Sequence, residues 1–309
     1  MRWFGIAAAG VALLGLPFVL SDFWTFIAIE MLAFALYATS FNLLLGYGGM
    51  LSFGHAAYFG VGGYAVALLL KKVGLPLAFA FLCAPLAAAL FAAVIGYFAV
   101  RRTGIYFAML TFAFQMLLYT IALKFTGLTN GDDGITGVRP AGWLSEPFNY
   151  YFLTLAVVAA ALYALHRLVE SPFGYALRAM RTNPRRVEHV GVPVGLHRWT
   201  TFVIAGAFAG LAGALFAVST GSVFPNWLNW TQSATPVVMA VLGGLRVFVG
   251  PIVGAAVFVA LEVSISGQTE YWPLVMGAII VMLVLAMPEG LVGSPLCARA
   301  AHLLARRFR

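Results

Sequence analysis

Long apolar runs recur down the whole chain with only short polar breaks, and they constrain this sequence more than any other feature. A helix gains about 1.5 Å per residue, so crossing a hydrocarbon core about 30 Å thick takes roughly 20 apolar residues. Such runs fall at 4–20, 24–45, 49–70, 75–99, 104–124, 150–168, 199–219, 234–246, 249–267 and 272–288, which predicts about ten transmembrane helices. Composition agrees. Of 309 residues, 62% are hydrophobic and 9% charged, whereas a soluble domain carries about 25% charged residues. One water-soluble core cannot bury so much apolar surface, and the disordered, collagen-like and disulfide-scaffold classes fail on the same figures. The expected fold class is all-α: a polytopic membrane protein with one transmembrane domain over 1–309. The first run also reads as a cleaved signal peptide over 1–21, since Arg2, an apolar stretch and Val19-Leu20-Ser21 precede Asp22. No disulfide is expected, because Cys83 lies inside an apolar run and Cys297 beside a basic tail.

Aromatic and basic residues place these runs in a bilayer. Trp3, Trp24, Trp199 and Trp272 sit at predicted span ends, and Trp143, Trp227 and Trp230 in predicted loops. Indole favours the headgroup level, so this is an aromatic belt. With the N-terminus inside, 14 of the 18 Lys and Arg fall on the cytoplasmic side. Lys71, Lys72, Lys124 and Arg139 fall outside. Both termini are therefore predicted to be cytoplasmic. Lys71-Lys72 runs against the rule. A re-entrant 49–70 would invert everything downstream, but the basic tail over 289–309 opposes that. Arg167–Arg198 and Arg299–Arg309 each carry net +4 and together supply the whole excess of +8. Charge placed this way marks a membrane face and does not suggest nucleic acid.

Three places are not simply greasy helix. The first is Gly46-Tyr47-Gly48-Gly49-Met50-Leu51-Ser52-Phe53-Gly54-His55, followed by Gly60, Gly62 and Gly63. Each glycine costs an isolated helix about 1 kcal/mol against Ala. In a membrane they suit either close packing or a broken helix lining a cavity. The second runs from Pro236 to Pro251 and contains Gly243, Gly244 and Gly250. These two places fall in predicted spans three and eight. That odd offset is what an inverted five-helix repeat would produce, with a substrate path near the repeat interface. The third is the loop 170–198. Leu177 and Met180 stand at i, i+3, Asn183 can cap a new helix with Pro184 at its first position, and Val187 and Val190 again stand at i, i+3. Gly191 can end that helix and Pro193 prevents its continuation. Two short helices are too small for an enzyme domain and suit a docking element for a cytoplasmic partner.

An ordered set of segments resembles the inner-membrane permease subunit of branched-chain amino acid ABC transporters. It runs from Asn42-Leu43-Leu44-Leu45-Gly46-Tyr47-Gly48-Gly49 into Leu51-Ser52-Phe53-Gly54-His55-Ala56. Arg101-Arg102-Thr103-Gly104-Ile105-Tyr106-Phe107-Ala108-Met109-Leu110-Thr111 follows, then Thr129-Asn130-Gly131 and Gly134-Ile135-Thr136-Gly137. Phe173-Gly174-Tyr175-Ala176-Leu177-Arg178-Ala179-Met180-Arg181 leads to Gly191. Leu242-Gly243-Gly244, Gly250-Pro251-Ile252-Val253-Gly254 and Pro288-Glu289-Gly290-Leu291 complete the set. The resemblance implies a large, type II-like ABC importer permease of about ten helices in a bacterial inner membrane. It implies that Gly174, Leu177, Arg178, Met180, Arg181, Val187, Val190 and Gly191 form a coupling element seated on an ATPase subunit. The implied partners are a second homologous permease, two cytoplasmic ATPase subunits, a periplasmic binding protein and membrane lipid. Asn183-Pro184-Arg185-Arg186 departs from the acidic and small residues usual there, and Arg246 stands where a small residue is usual. Urea and short-amide importers use similar permeases and remain an alternative.

The chain has no G-x-x-x-x-G-K-[ST], no H-E-x-x-H, no Cys/His metal spacing and no G-x-S-x-G. It reads as a transport subunit, not an enzyme, binding no cofactor or metal itself, with ATP used by partner subunits. Glu30 and Glu262 are the only acids inside predicted spans, and intramembrane polar groups are functional candidates. Asn42, Gly46, Gly49, Ser52, His55, Thr111, Gln115, Gly243 and Gly244 are the candidate translocation path. Each polar one also suits plain helix packing. A proton-driven secondary transporter acting through Glu30, Glu262 or His55 is the competing class.

Overall fold

The computed structural model describes residues 13–18, 21–140, 142–287 and 289–293. Most of the first predicted run, Pro288 and the tail beyond Gly293 with Cys297 lie outside these residues. Helix α1, Asp22–Asn42, runs on through a π-helical turn, Leu43–Tyr47. Helix α2, His55–Leu68, likewise ends in a π turn, Leu69–Val73. Then come α3 Leu77–Ala99, α4 Ile105–Lys124 and α5 Pro147–Val169. The loop helices are α6 Pro172–Thr182 and α7 Pro184–His189, followed by α8 Val194–Thr220. The chain closes with α9 Trp230–Gly243, α10 Gly250–Ser266 and α11 Trp272–Ala286. Among the described residues seven helices are long and apolar enough to cross a membrane: α1 to α5, α8, and α11 with the turn after it. Residues 13–18 are helical and pack on α5, where Tyr151 Oη donates to the Leu13 carbonyl at 2.8 Å.

Three differences from the sequence reading have physical causes. The predicted span 49–70 is helical only from His55, because Gly49 takes a left-handed φ of +66° and the chain turns there. The predicted spans 234–246 and 249–267 form a hairpin of shorter helices, 14 and 17 residues. Among the described residues the otherwise all-α chain also carries one small ribbon, β1 Ile135–Thr136 paired antiparallel with β2 Ser222–Val223.

The centre of the bundle is α8, clasped by α1, α2 and α3. Lipid tails are as apolar as leucine, so helices in a membrane associate through close van der Waals contact, not the hydrophobic effect. Small residues supply it here. Ala80, Ala84, Ala88 and Ala92 recur every fourth residue on α3, all fully buried. A Cβ added to Gly206 or Gly210 of α8 would overlap Ala92 or Ala88. On the other side of α8, a Cβ on Gly62 would strike the Gly210 carbonyl, and one on Gly213 the Phe59 carbonyl. The helices meet backbone to backbone.

The structure also explains Lys71-Lys72. Lys72 Nζ donates to the carbonyls of Gly127 and Leu128 at 2.7 and 2.9 Å, ending the one-turn helix Thr126–Thr129. Terminal helix carbonyls lack partners within the helix, and a lysine can satisfy them. Lys71 lies against Gly137, and Arg139 against Gly221. These bases thus share the end of the bundle opposite α6 and α7.

Candidate functional site

The loop carrying α6 and α7 is built by local sequence. Pro172 opens α6 after extended Ser171. Gly174 lets α6 fold tightly under α5, since a Cβ there would overlap the Val169 carbonyl. Asn183 is extended, and its side chain accepts from the Arg186 amide at 3.2 Å, capping α7. Gly191 is left-handed at φ +87° and donates its amide to the Glu188 carbonyl at 3.0 Å. Leu177, Met180 and Val187 are buried, whereas Val190 is 78% exposed because α7 stops at His189. Leu177 reaches Gly48, just past the π turn of α1.

The two arginines of α6 reach back to the end of α1, Arg178 half-buried and Arg181 still largely exposed. Arg178 donates through Nη2 to the Val169 carbonyl at 3.1 Å and lies over the Tyr47 ring at 5.1 Å. Arg181 donates through Nη1 to the Gly46 carbonyl, and its stem rests on Gly49. They tie the loop to the broken end of α1. Tyr175, Arg185, Arg186, Glu188, His189 and Val190 are exposed with no such tie to α1.

Gly46 is where three segments converge. A Cβ there would overlap Asn42 Oδ1 and stand 2.6 Å from the Leu245 carbonyl, in the turn between α9 and α10. Asn42 is buried, and its Oδ1 has no hydrogen-bond partner among the described residues. Single π turns inside helices frequently mark functional sites. Segment 48–54 is irregular, as membrane-depth backbone can be only where protein buries it or it lines a cavity. Ser52 Oγ accepts from the Gly54 amide at 3.3 Å. Gly54 presses on α4, where a Cβ would lie 2.5 Å from the Thr111 carbonyl. Thr111 spends its own hydroxyl on Ala108 at 2.8 Å.

The remaining candidates divide into two groups. His55 and Gln115 belong to a fully buried polar network joining α1, α2, α4 and α9. His55 Nε2 is 2.9 Å from Ser40 Oγ, which donates to the Tyr37 carbonyl at 2.7 Å, so the imidazole supplies the proton between them. Tyr37 stacks on the imidazole at 5.3 Å. Gln115 donates to the Leu228 carbonyl at 2.9 Å and accepts from Ser233 Oγ at 3.0 Å. Ser233 in turn accepts from the Ala56 amide at 2.9 Å. Gly243 and Gly244 serve the α9–α10 hairpin: a Cβ on Gly243 would overlap the Gly250 carbonyl, and Gly244 stands at φ +115°. Sequence reasoning missed Tyr37, Ser40 and Ser233. Ser40 was visible as an intramembrane hydroxyl, while Ser233 lay one residue outside the predicted run.

Two of the cavities at the loop end adjoin the broken end of α1. One, about 600 Å³, lies between segment 48–53, the start of α4 and α6. The other, about 920 Å³, lies between Gly46, Glu170, Arg178 and the turn 245–249. A third, about 330 Å³, brings Glu30 and Glu262 together with Trp227 and Trp272. Among the described residues no three His, Cys, Asp or Glu gather as a metal site.

Comparison with known proteins bears on this arrangement. Residues 23–285 match the family described as "Branched-chain amino acid transport system / permease component". The high-affinity branched-chain amino acid transport system permease proteins LivM of Salmonella typhimurium and Escherichia coli K12 are each 28% identical over 306 residues. Those matches cover 89% of this chain and 71% of each relative. The corresponding LivH of Salmonella typhimurium is 25% identical over 286 residues, covering 85% of this chain and 92% of LivH. No solved structure matches the chain.

Proposed function

This chain belongs to the permease-component family of branched-chain amino acid transport systems, and from that premise we propose how work is divided within it. It is an M-type ABC importer permease, a multi-pass transport subunit of the membrane. The path for a hydrophobic branched-chain amino acid runs beside the broken end of α1, with Asn42, Gly46, Gly49 and Ser52 nearest to it. Energy arrives through α6 and α7 from two ATPase subunits contributed by other chains. A second, H-type permease completes the path, and a soluble binding protein delivers the substrate. The loop of α6 and α7 faces the cytoplasm together with both termini.

The observation that supports this reading is the double tether of α6 to α1: Arg181 to the Gly46 carbonyl and Arg178 over Tyr47. A docking loop whose inner face grips a π turn can convert a push from outside into movement of segment 43–54. The test is uptake by the reconstituted complex with its partner permease, ATPases and binding protein. Labelled leucine should enter only with ATP, excess isoleucine should suppress it, and excess urea should not. Uptake by this chain alone under a pH gradient would overturn the reading, and full competition by urea would overturn the substrate.

A further inference from the structure

The cavity of about 600 Å³ at the loop end is lined by charge of one sign. Arg102, Arg181 and Arg198 line it, and among the described residues no carboxylate does. Arg198 Nε is buried with no hydrogen-bond partner among the described residues. The start of α4 opens on the same space through Gly104 and Ile105, and no side chain caps it. The first-turn amides of a helix have no partners within it and carry the positive end of its dipole, which favours an anion. The rest of the wall is mainly apolar, with Met50, Leu51, Phe53 and Phe107. A zwitterionic amino acid would bring an ammonium group that finds no counter-charge here, so the cavity suits a net anion and not the transported substrate.

The surface beside the cavity narrows the choice of anion. Ile105, which lines the cavity, and Tyr106 and Met109 after it on α4 are 71%, 74% and 63% exposed. They form an apolar strip continuing along a helix long enough to cross the membrane. A free phosphate or an acidic peptide would use the arginines and leave the strip bare. A phospholipid uses both. Basic pockets between helices near a membrane surface are recognised sites for anionic headgroups.

We propose that this cavity binds the headgroup of an anionic phospholipid, of the phosphatidylglycerol kind, with Arg102 and Arg198 holding its phosphate and α4 carrying its acyl chains. Arg181, already engaged with the Gly46 carbonyl, places the bound headgroup against the same segment that α6 grips. Lipid retention is read without transport, so this proposal and the importer reading can fail separately.

The test is native mass spectrometry on the purified, delipidated transporter complex, titrated with phosphatidylglycerol, phosphatidylcholine or inorganic phosphate. Phosphatidylglycerol should be retained at concentrations at which phosphatidylcholine is not. The Arg102→Gln/Arg198→Gln double variant should lose at least tenfold in apparent affinity. Exposed Arg102→Gln alone should lose part of it and guards against a misfolded double variant. Arg139→Gln, at the opposite end of the bundle, should bind as the unaltered protein does. Equal retention of phosphatidylcholine, or unchanged binding by both arginine variants, would overturn the proposal. Displacement of the lipid by inorganic phosphate at comparable concentration would assign the cavity to a free anion. Loss of an ATPase subunit from the double variant with lipid retention intact would assign the arginines to protein docking. Either result would overturn the lipid assignment.

Discussion

Replacing Arg181 with Ala tests the proposed coupling most directly. In the structure this side chain makes one charge-assisted hydrogen bond, to the Gly46 carbonyl, and lays its stem on Gly49. Hydrogen bonds to a charged group contribute about 1.5–3 kcal/mol net. Arg181 keeps much of its surface exposed, so water screens the pair and the lower figure applies, about 1.5 kcal/mol. That is roughly a tenfold change in the balance between the linked and unlinked states of α6 and α1. Tyr175 and the exposed residues of α7 are untouched, so ATP hydrolysis by the assembled complex should persist. Leucine transported per ATP hydrolysed should fall about tenfold, a shift that simultaneous uptake and phosphate-release measurements in proteoliposomes resolve. Arg181→Lys should fall between the two, since lysine keeps the charge but loses the planar fork. An unchanged ratio in a well-folded Arg181→Ala complex would refute the tether. Hydrolysis and uptake falling in parallel would place Arg181 in subunit docking instead.

Three further outcomes follow from the geometry. Gly191→Pro should uncouple transport while leaving membrane insertion intact. Proline cannot reach φ +87°, and the amide that Gly191 donates to Glu188 is lost; insertion by membrane fractionation beside leucine uptake tests this. Gly213→Ala should destabilise the bundle by about 1–3 kcal/mol, since its Cβ overlaps the Phe59 carbonyl. Gly277→Ala, with nothing within 4 Å, should be neutral or raise stability by about 0.5–1 kcal/mol; thermal midpoints in detergent compare the two. Gln115→Leu removes both buried bonds, to Leu228 and Ser233. It should cost about 2–4 kcal/mol, and Ser233→Ala, which strands Gln115 and the Ala56 amide, should lower the midpoint comparably.

What the sequence disclosed followed from how local each cause is. Helix existence and the punctuation of loop 170–198 were legible because hydropathy, Asn183, Pro184 and Gly191 act within a few residues. The Ala80-Ala84-Ala88-Ala92 stripe went unread, because small residues every fourth position gain meaning only beside their partner face on α8. The start of α2 was half legible: the glycines of 46–54 allowed either a broken helix or close packing, and the left-handed Gly49 and the contact of Gly54 with Thr111 decide for the break. The reach of Arg178 and Arg181 back to the end of α1 was likewise invisible. Basic residues in a loop read as solvated or docking charge until the Gly46 carbonyl and the Tyr47 ring are brought beside them by the fold.

The packing itself says where a push from α6 and α7 can be absorbed. Helices α2, α3 and α8 touch through backbone and methyl groups, at Gly62, Gly206, Gly210 and Gly213. Contacts of that kind have no side chain to rotate, so sliding one helix over another forfeits dispersion along the whole seam. The α9–α10 hairpin is closed the same way, through Gly243, Gly250 and Gly254. The end of α1 differs. It meets α6 through the long side chains of Leu177, Arg178 and Arg181, which turn at modest cost. It also lies between two open cavities and continues into a segment without helix or sheet. A displacement entering at α6 therefore meets least resistance at 43–54. Stiffening that segment tests the point: Gly48→Ala, at an ordinary φ of −89°, sets a Cβ 2.8 Å from the Leu44 carbonyl. The overlap should lower the thermal midpoint somewhat; if 43–54 is the moving part, leucine transported per ATP should also drop in this variant well below that midpoint, where the complex is folded. An unchanged ratio would return the motion to the helix seams and remove the reason for placing the path beside α1.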